Sequence, residues 1–313
     1  MPYFFTNYSM ESTEIVSFFK ELQDSICSEI EIADGKALFQ EDQWVHHSGG
    51  GGRTRVIQNG NVLEKGGVNF SSVQGELHVR LKAQMGIADD QPMQFLATGV
   101  SIVMHPISPK VPIIHMNVRY FELSNGDCWF GGGIDLTPHF VVEEDARYFH
   151  QCLKEVCDRH HAGFYPDFKQ WADDYFYIQH RDETRGIGGI FFDYLKPDQP
   201  GKGQGLTKGQ LFAFVKDVGK TFAPVYTHFM YLHREEPYTA QEKEWQYLRR
   251  GRYVEFNLVW DRGTKFGLET NGRTESILMS LPPRAEWAYD YQPEANTAEA
   301  RTLALLKKGI NWV

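Results

Sequence analysis

Apolar residues return every three or four positions near the start of the chain, at Ile15, Phe18, Leu22, Ile26 and Ile30, which predicts a helix over 13–32 with one face turned to a core. Further on, the spacing shortens to two. In Ile113-Ile114-His115-Met116-Asn117-Val118-Arg119-Tyr120-Phe121, His115, Asn117 and Arg119 fall on one strand face and Ile114, Met116, Val118 and Tyr120 on the other. The run 253–260 alternates in the same way, with Val254, Phe256, Leu258 and Trp260 opposite Glu255 and Asn257, and it is the clearest strand pattern in the chain. Asn59-Gly60, Asn125-Gly126 and Asn271-Gly272 mark tight turns, because Asn and Gly tolerate the positive φ of hairpins, so antiparallel pairing is expected.

Helical spacing resumes at 143–160, 167–179, 207–234, 239–250 and 297–308. Thr239 and Glu242 have the spacing of a capping box, and Gly309 behind two lysines suits a helix end. Pro224 is expected to kink or split the long helix. Strands in runs with flanking helices predict an α+β fold class rather than a doubly wound βαβ fold. The only linker-like stretch, 197–208, is too short to divide the chain, so 1–313 reads as one domain.

Composition narrows the function. The chain is 42% hydrophobic, and its 41 acidic against 32 basic residues give a net charge of -9, which disfavours nucleic acid and anionic lipid as partners. No Lys or Arg precedes Lys20, so the basic flank of a targeting peptide is missing and a cytoplasmic location is expected. The uncharged run 91–109 has the length of a membrane span, but its prolines and polar residues predict a buried strand instead. Cys27, Cys128, Cys152 and Cys157 lack paired metal-site spacing and read as reduced core residues.

The face carrying His115, Asn117 and Arg119 combines a proton-transfer group, an amide and a fixed cation, which is what a carboxylate site requires. The polar outer face of an ordinary sheet would show the same pattern, so this strand alone leaves both readings open. Its neighbours add weight. Ser101 and His105 share one face of the preceding strand, and a hairpin at Asn125-Gly126 brings Asp135 back beside His115. Gly131-Gly132-Gly133, just before Asp135, leaves backbone on which a bulky ligand can lie closely. A second block, from His180 through Arg185 and Gly188-Gly189 to Asp193, places charge before glycine and glycine before a buried strand. Neither block matches a dinucleotide or phosphate-loop motif. His105, His115, His150 and His180 are metal candidates, but separations of 10, 35 and 30 residues match no compact ligand motif.

These blocks closely resemble the oxygen-dependent coproporphyrinogen-III oxidases over nearly the whole chain. The match includes Gly49-Gly50-Gly51-Gly52-Arg53, Gly66-Gly67-Val68-Asn69-Phe70-Ser71, Gly99-Val100-Ser101, Asn117-Val118-Arg119, 130–138, Asp174-Tyr175-Phe176-Tyr177, 185–193, 249–264 and 272–280. The resemblance implies a large antiparallel β-sheet flanked by α-helices on both faces, and a homodimer with 253–287 contributing to its interface. It also implies oxidative decarboxylation of two propionates of coproporphyrinogen III to vinyl groups, giving protoporphyrinogen IX in heme biosynthesis. Molecular oxygen is then the co-substrate, no cofactor is required, and a divalent metal stays open. Carried over by position, Ser101, Asn117, Val118, Arg119, Arg185, Asn271, Gly272 and Arg273 are substrate contacts, with His115 the proton donor. Asp135 is expected to accept from pyrrole N–H groups, and Arg119 to complete the catalytic set. Two rival readings are a noncatalytic tetrapyrrole carrier, which would use the same arginines, and a metal-dependent oxidase built on the four histidines.

Overall fold

The computed structural model describes residues 10–88, 90–199, 203–269 and 272–313. Helix α1 (Met10–Asp34) leads into strands β1 (Gln40–Val45), β2 (Gly50–Gln58) and β3 (Leu63–Glu76), and α2 (Val79–Gln84) precedes β4 (Gln94–Pro106), β5 (Ile113–Leu123) and β6 (Cys128–Thr137). Helices α3 (Glu143–Asp158) and α4 (Phe164–Tyr175) follow, then the short β7 (Tyr177–Ile178) and β8 (Glu183–Thr184), and β9 (Gly189–Leu195). The remainder is α5 (Lys208–His233), α6 (Ala240–Glu255), a π-helical turn Phe256–Trp260, α7 (Arg262–Glu269), α8 (Thr274–Leu278) and α9 (Ala298–Leu305).

Seven strands form one antiparallel sheet in the order β1-β2-β3-β4-β5-β6-β9. One face of it is the main core. Ile102, Ile114, Met116, Val118, Phe130 and Ile134 point there, against Ile15, Phe19, Leu22 and Ile26 of α1 and Phe214, Val218 and Phe222 of α5. Phe19 takes the fully buried position expected of Phe18, which packs at the margin. On the opposite face, Tyr253 of α6 packs with Val103 and Ile113, Phe256 packs with Phe176, and Met279 lies over Gly67. The architecture is thus α+β, with helices on both faces of the sheet. No helix among the described residues is long and apolar enough to cross a membrane.

The hairpins at Asn59-Gly60 and Asn125-Gly126 form as expected, with Asn59 at φ 58 and Gly126 at φ 90. Two expectations fail. The run 253–260 is helical throughout, as the end of α6 and the π-helical turn, and not a strand. Its buried positions Tyr253, Phe256 and Asn257, with Arg249 and Arg250 before them, recur at helical spacing, Tyr253 against Val103 and Ile113 and Phe256 against Phe176, and that packing overrides the β-preference of its aromatic and branched residues. Asn271 lies outside the described residues, and Gly272, its N–H bonding the Gly267 carbonyl, stands between α7 and α8, so the described residues there form no strand hairpin. α5 runs unbroken through Pro224, with Val218, Phe222, Tyr226 and Phe229 on both sides of it held in the same core.

Candidate active site

Rows of residues cross the second face of the sheet, fixed by strand register. One row is Val103, His115, Asp135 and Gly189; the next is Thr54, Asn69, Ser101, Asn117 and Gly133; a third is Ser71, Gly99, Arg119 and Gly131. Asn69, Ser101 and Asn117 of the second row and Ser71, Gly99 and Arg119 of the third, with Phe121 and Trp129, line an open cleft of about 210 Å³. Glycine keeps its floor flat. A Cβ at Gly99 would stand 2.4 Å from the Val118 carbonyl oxygen, so no side chain can rise there. A larger opening, about 370 Å³, lies between α1 and β2, but its cation Arg55 is already held by Asp24 and Glu41.

At the closed end of the rows, Asp135 is gripped from two sides. Arg185 donates through Nε and Nη2 to the two carboxylate oxygens at 2.9 and 2.7 Å, and His115 Nδ1 donates to Oδ1 at 2.8 Å. Arg185 Nη1 donates to Asn257 Oδ1 at 2.8 Å, and its guanidinium lies 4.5 to 4.7 Å from the ring centroids of Phe176, Tyr253 and Phe256. Burial alone would raise the Asp135 carboxyl, but the Arg185 charge and the His115 hydrogen bond outweigh it and hold it below the usual carboxylate range. Asp135 therefore stays an anion. It fixes the His115 tautomer with the proton on Nδ1, so proton exchange passes through Nε2, which has no partner among the described residues.

At the open end, Arg119 Nη2 meets Asp193 Oδ2 at 2.8 Å, and Nη1 donates to Asn117 Oδ1 at 3.4 Å. Toward the other edge, Thr54 donates to Asn69 at 2.9 Å and meets Ser276 of α8 at 2.7 Å, while Arg273 at the start of α8 pairs with Asp42 of β1. Arg119 lines the cleft and Arg273 stands toward the β1 edge, so both bring cations to this sheet face in a chain whose net charge is -9. A partly apolar cleft with Arg119 in its lining suits a ligand that combines apolar surface with carboxylates.

The sequence comparisons agree with that chemistry. The family model described as coproporphyrinogen III oxidase matches residues 14–312. The chain belongs to the coproporphyrinogen III oxidase family. An oxygen-dependent coproporphyrinogen-III oxidase of Synechococcus sp. (strain CC9605) is 46% identical over 93% of this chain and 85% of its own length. One from Prochlorococcus marinus (strain NATL2A) is 46% identical over 93% and 88%. The coproporphyrinogen-III oxidase 1, chloroplastic, of Arabidopsis thaliana is 46% identical over 93% and 76%.

Within this family member, the residues singled out by sequence divide into three groups. Ser101, Asn117 and Arg119 line the cleft, His115 and Asp135 lie one row away on the same sheet face, and Gly272 and Arg273 lie beside α8. Val118 and Arg185 do not reach the cleft. Val118 points into the main core, since neighbours in a strand face opposite ways, and Arg185 is enclosed by the aromatic cage and Asp135. Asp135 likewise spends both oxygens inside the protein, so a direct contact with pyrrole N–H groups gives way to a hold on His115. The four candidate metal histidines do not converge. His105 bonds the Ser280 carbonyl, His150 bonds Tyr165 and the Ile187 carbonyl, and His180 bonds Glu255 and Trp260. Among the described residues no group of three His, Cys, Asp or Glu is placed to hold a metal ion. Asn257 and Asp193 were missed. Asn257 was assigned to a strand face, and the only sign of Asp193 was its place at the end of the Arg185 block.

Proposed function

We propose that this chain converts coproporphyrinogen III to protoporphyrinogen IX in heme biosynthesis, with molecular oxygen as co-substrate. The observation that carries the reading is the position of His115, fixed by the Asp135–Arg185 pair, one row from Asn117 in a glycine-floored cleft that bears Arg119. Each turnover of one propionate breaks the bond to the carboxyl carbon and removes one hydrogen from the remaining ethyl carbon next to the pyrrole. Propionate, oxygen and one proton give a vinyl group, carbon dioxide and hydrogen peroxide. Arg119 and Arg273 hold propionates by charge-assisted hydrogen bonds, Ser101 and Asn117 contact the substrate, and His115 Nε2 supplies the proton that ends on reduced oxygen. Asp135 and Arg185 act through His115 by fixing its ring. Gly272, next to Arg273 in the chain, is a further substrate contact in this reading, as is Asn271, which lies outside the described residues.

The whole chain, 1–313, works as one domain in this reading, and as a homodimer. Leu258, Val259, Phe266, Leu268 and Trp287 are exposed apolar residues clustered in sequence within 253–287, which supports that stretch as the interface. Light scattering at several protein concentrations measures this. A cytoplasmic location fits the acidic composition and is read by cell fractionation.

The decisive experiment incubates chelator-treated protein with coproporphyrinogen III, with and without oxygen, and separates the products after oxidation to porphyrins. Vinyl porphyrins only under oxygen are expected. Binding without any vinyl product would favour the carrier, and activity that returns only with added divalent metal would favour a metal-dependent oxidase.

A further inference from the structure

Asp193 has no role in the scheme above, yet three features of the fold place it against Arg119. Between the pairs Gly132↔Phe192 and Phe130↔Leu195, β9 holds one residue more than β6. Tyr194 in that bulge adopts φ 53, a strained value for an aromatic residue. The bulge turns two successive side chains to one face: Asp193 meets Arg119 at 2.8 Å, and the Tyr194 ring stacks 5.1 Å from Trp129. Gly131 completes the arrangement. A Cβ there would stand 2.6 Å from Asp193 Oδ1 and 2.8 Å from Arg119 Nε, so the ion pair lies on backbone that only glycine leaves clear.

An isolated surface ion pair needs neither a bulge nor a cleared strand. We infer that Asp193 is a positioning residue for substrate binding: it holds one edge of the Arg119 guanidinium flat over Gly131, leaving other N–H donors directed at a substrate propionate. The inference rests on the reading of this cleft as a tetrapyrrole site. Arg119 keeps 40% of its side chain exposed, so it stays open to a ligand while Asp193 holds it. Arginine's planar fork makes this division workable, because five N–H donors allow two carboxylates to be bound at once. Unheld, a long side chain samples many rotamers and loses that freedom only on binding, which weakens the complex.

The test is a fluorescence titration with coproporphyrin III, the oxidised tetracarboxylate, which needs no turnover. Asp193→Asn is expected to bind about tenfold more weakly than the wild-type protein, the scale of one lost orienting contact. In turnover, KM should rise by a similar factor with kcat within about threefold, since the reacting end of the cleft is untouched. Because Asp193 acts through Arg119, adding Asp193→Asn to Arg119→Gln should cause no further loss. Gly131→Ala keeps both charges but displaces the pair, and should weaken binding in the same way, which also covers a failure of Asp193→Asn to fold. Unchanged or tighter binding by the variants, or additive losses in the double variant, overturns the inference. Tighter binding would mean that Asp193 merely neutralises Arg119. No binding by the wild-type protein would overturn the tetrapyrrole reading as well, and so is distinguishable from failure of the inference alone.

Discussion

Two arginine–carboxylate pairs on the second face of the sheet share one chemistry in opposite surroundings. Arg185 and Asp135 are 2% and 1% exposed, while Arg119 and Asp193 are 40% and 21% exposed. Inside, desolvation makes each charge dependent on its partner, and every Asp135 oxygen and each Arg185 nitrogen edge is used. That pair is a rigid fixture that sets the His115 ring. Outside, water screens the attraction, so the Arg119 pair adds little to folding and its donors stay exchangeable with a ligand. The difference separates two tasks within one site: a fixed anion orients a proton-transfer group, and an open cation meets the substrate.

Three measurements would break or sharpen this contrast. The largest effect is expected from Arg185→Leu, which leaves a buried carboxylate unpaired and should cost about 3–5 kcal/mol in urea unfolding. A loss below about 1 kcal/mol would mean that the pair is not the fixture described. Next, Asp135→Asn keeps size but removes charge, and should cost about 1.5–3 kcal/mol at neutral pH with a sharp fall in turnover. Its pH dependence has a definite sign. The folded carboxyl titrates below its ordinary value of 3.8, so its contribution is full above that value and is lost as pH falls through the lower folded one. Wild-type and variant stabilities should therefore converge only in strong acid, and convergence near neutral pH would contradict an anionic Asp135. The smallest effect belongs to Arg119→Lys, which loses the planar fork. KM should rise about tenfold, with stability within about 0.5 kcal/mol of wild type. Equal kinetics would remove Arg119 from substrate binding.

Much of this contrast was legible along the chain, and its limits follow from the range of the signals. Alternation at His115, Asn117 and Arg119 placed them on one face, and Asn125-Gly126 put Asp135 beside His115, because a hairpin turn fixes register locally. The exposure of each pair was not legible. Arg185 and Arg119 look alike in sequence, and only Phe176, Tyr253 and Phe256, arriving from two distant segments, enclose one of them. Val118 shows a different limit: the family string Asn117-Val118-Arg119 is contiguous, but a strand turns its middle side chain to the other face.

The sequence by itself determined the elements whose signals are local: the apolar stripe of α1, the alternation of β5, the two hairpin turns, the capping box of α6 and the membership of the family. Tertiary structure alone decided the rest. It turned 253–260 into helix, because burying Tyr253, Phe256 and Asn257 against the sheet outweighs the weak β-preference of that run. It also assigned the arginines their different tasks, since the strength of an ion pair depends on the water around it, and a chain's burial is settled only when distant segments pack.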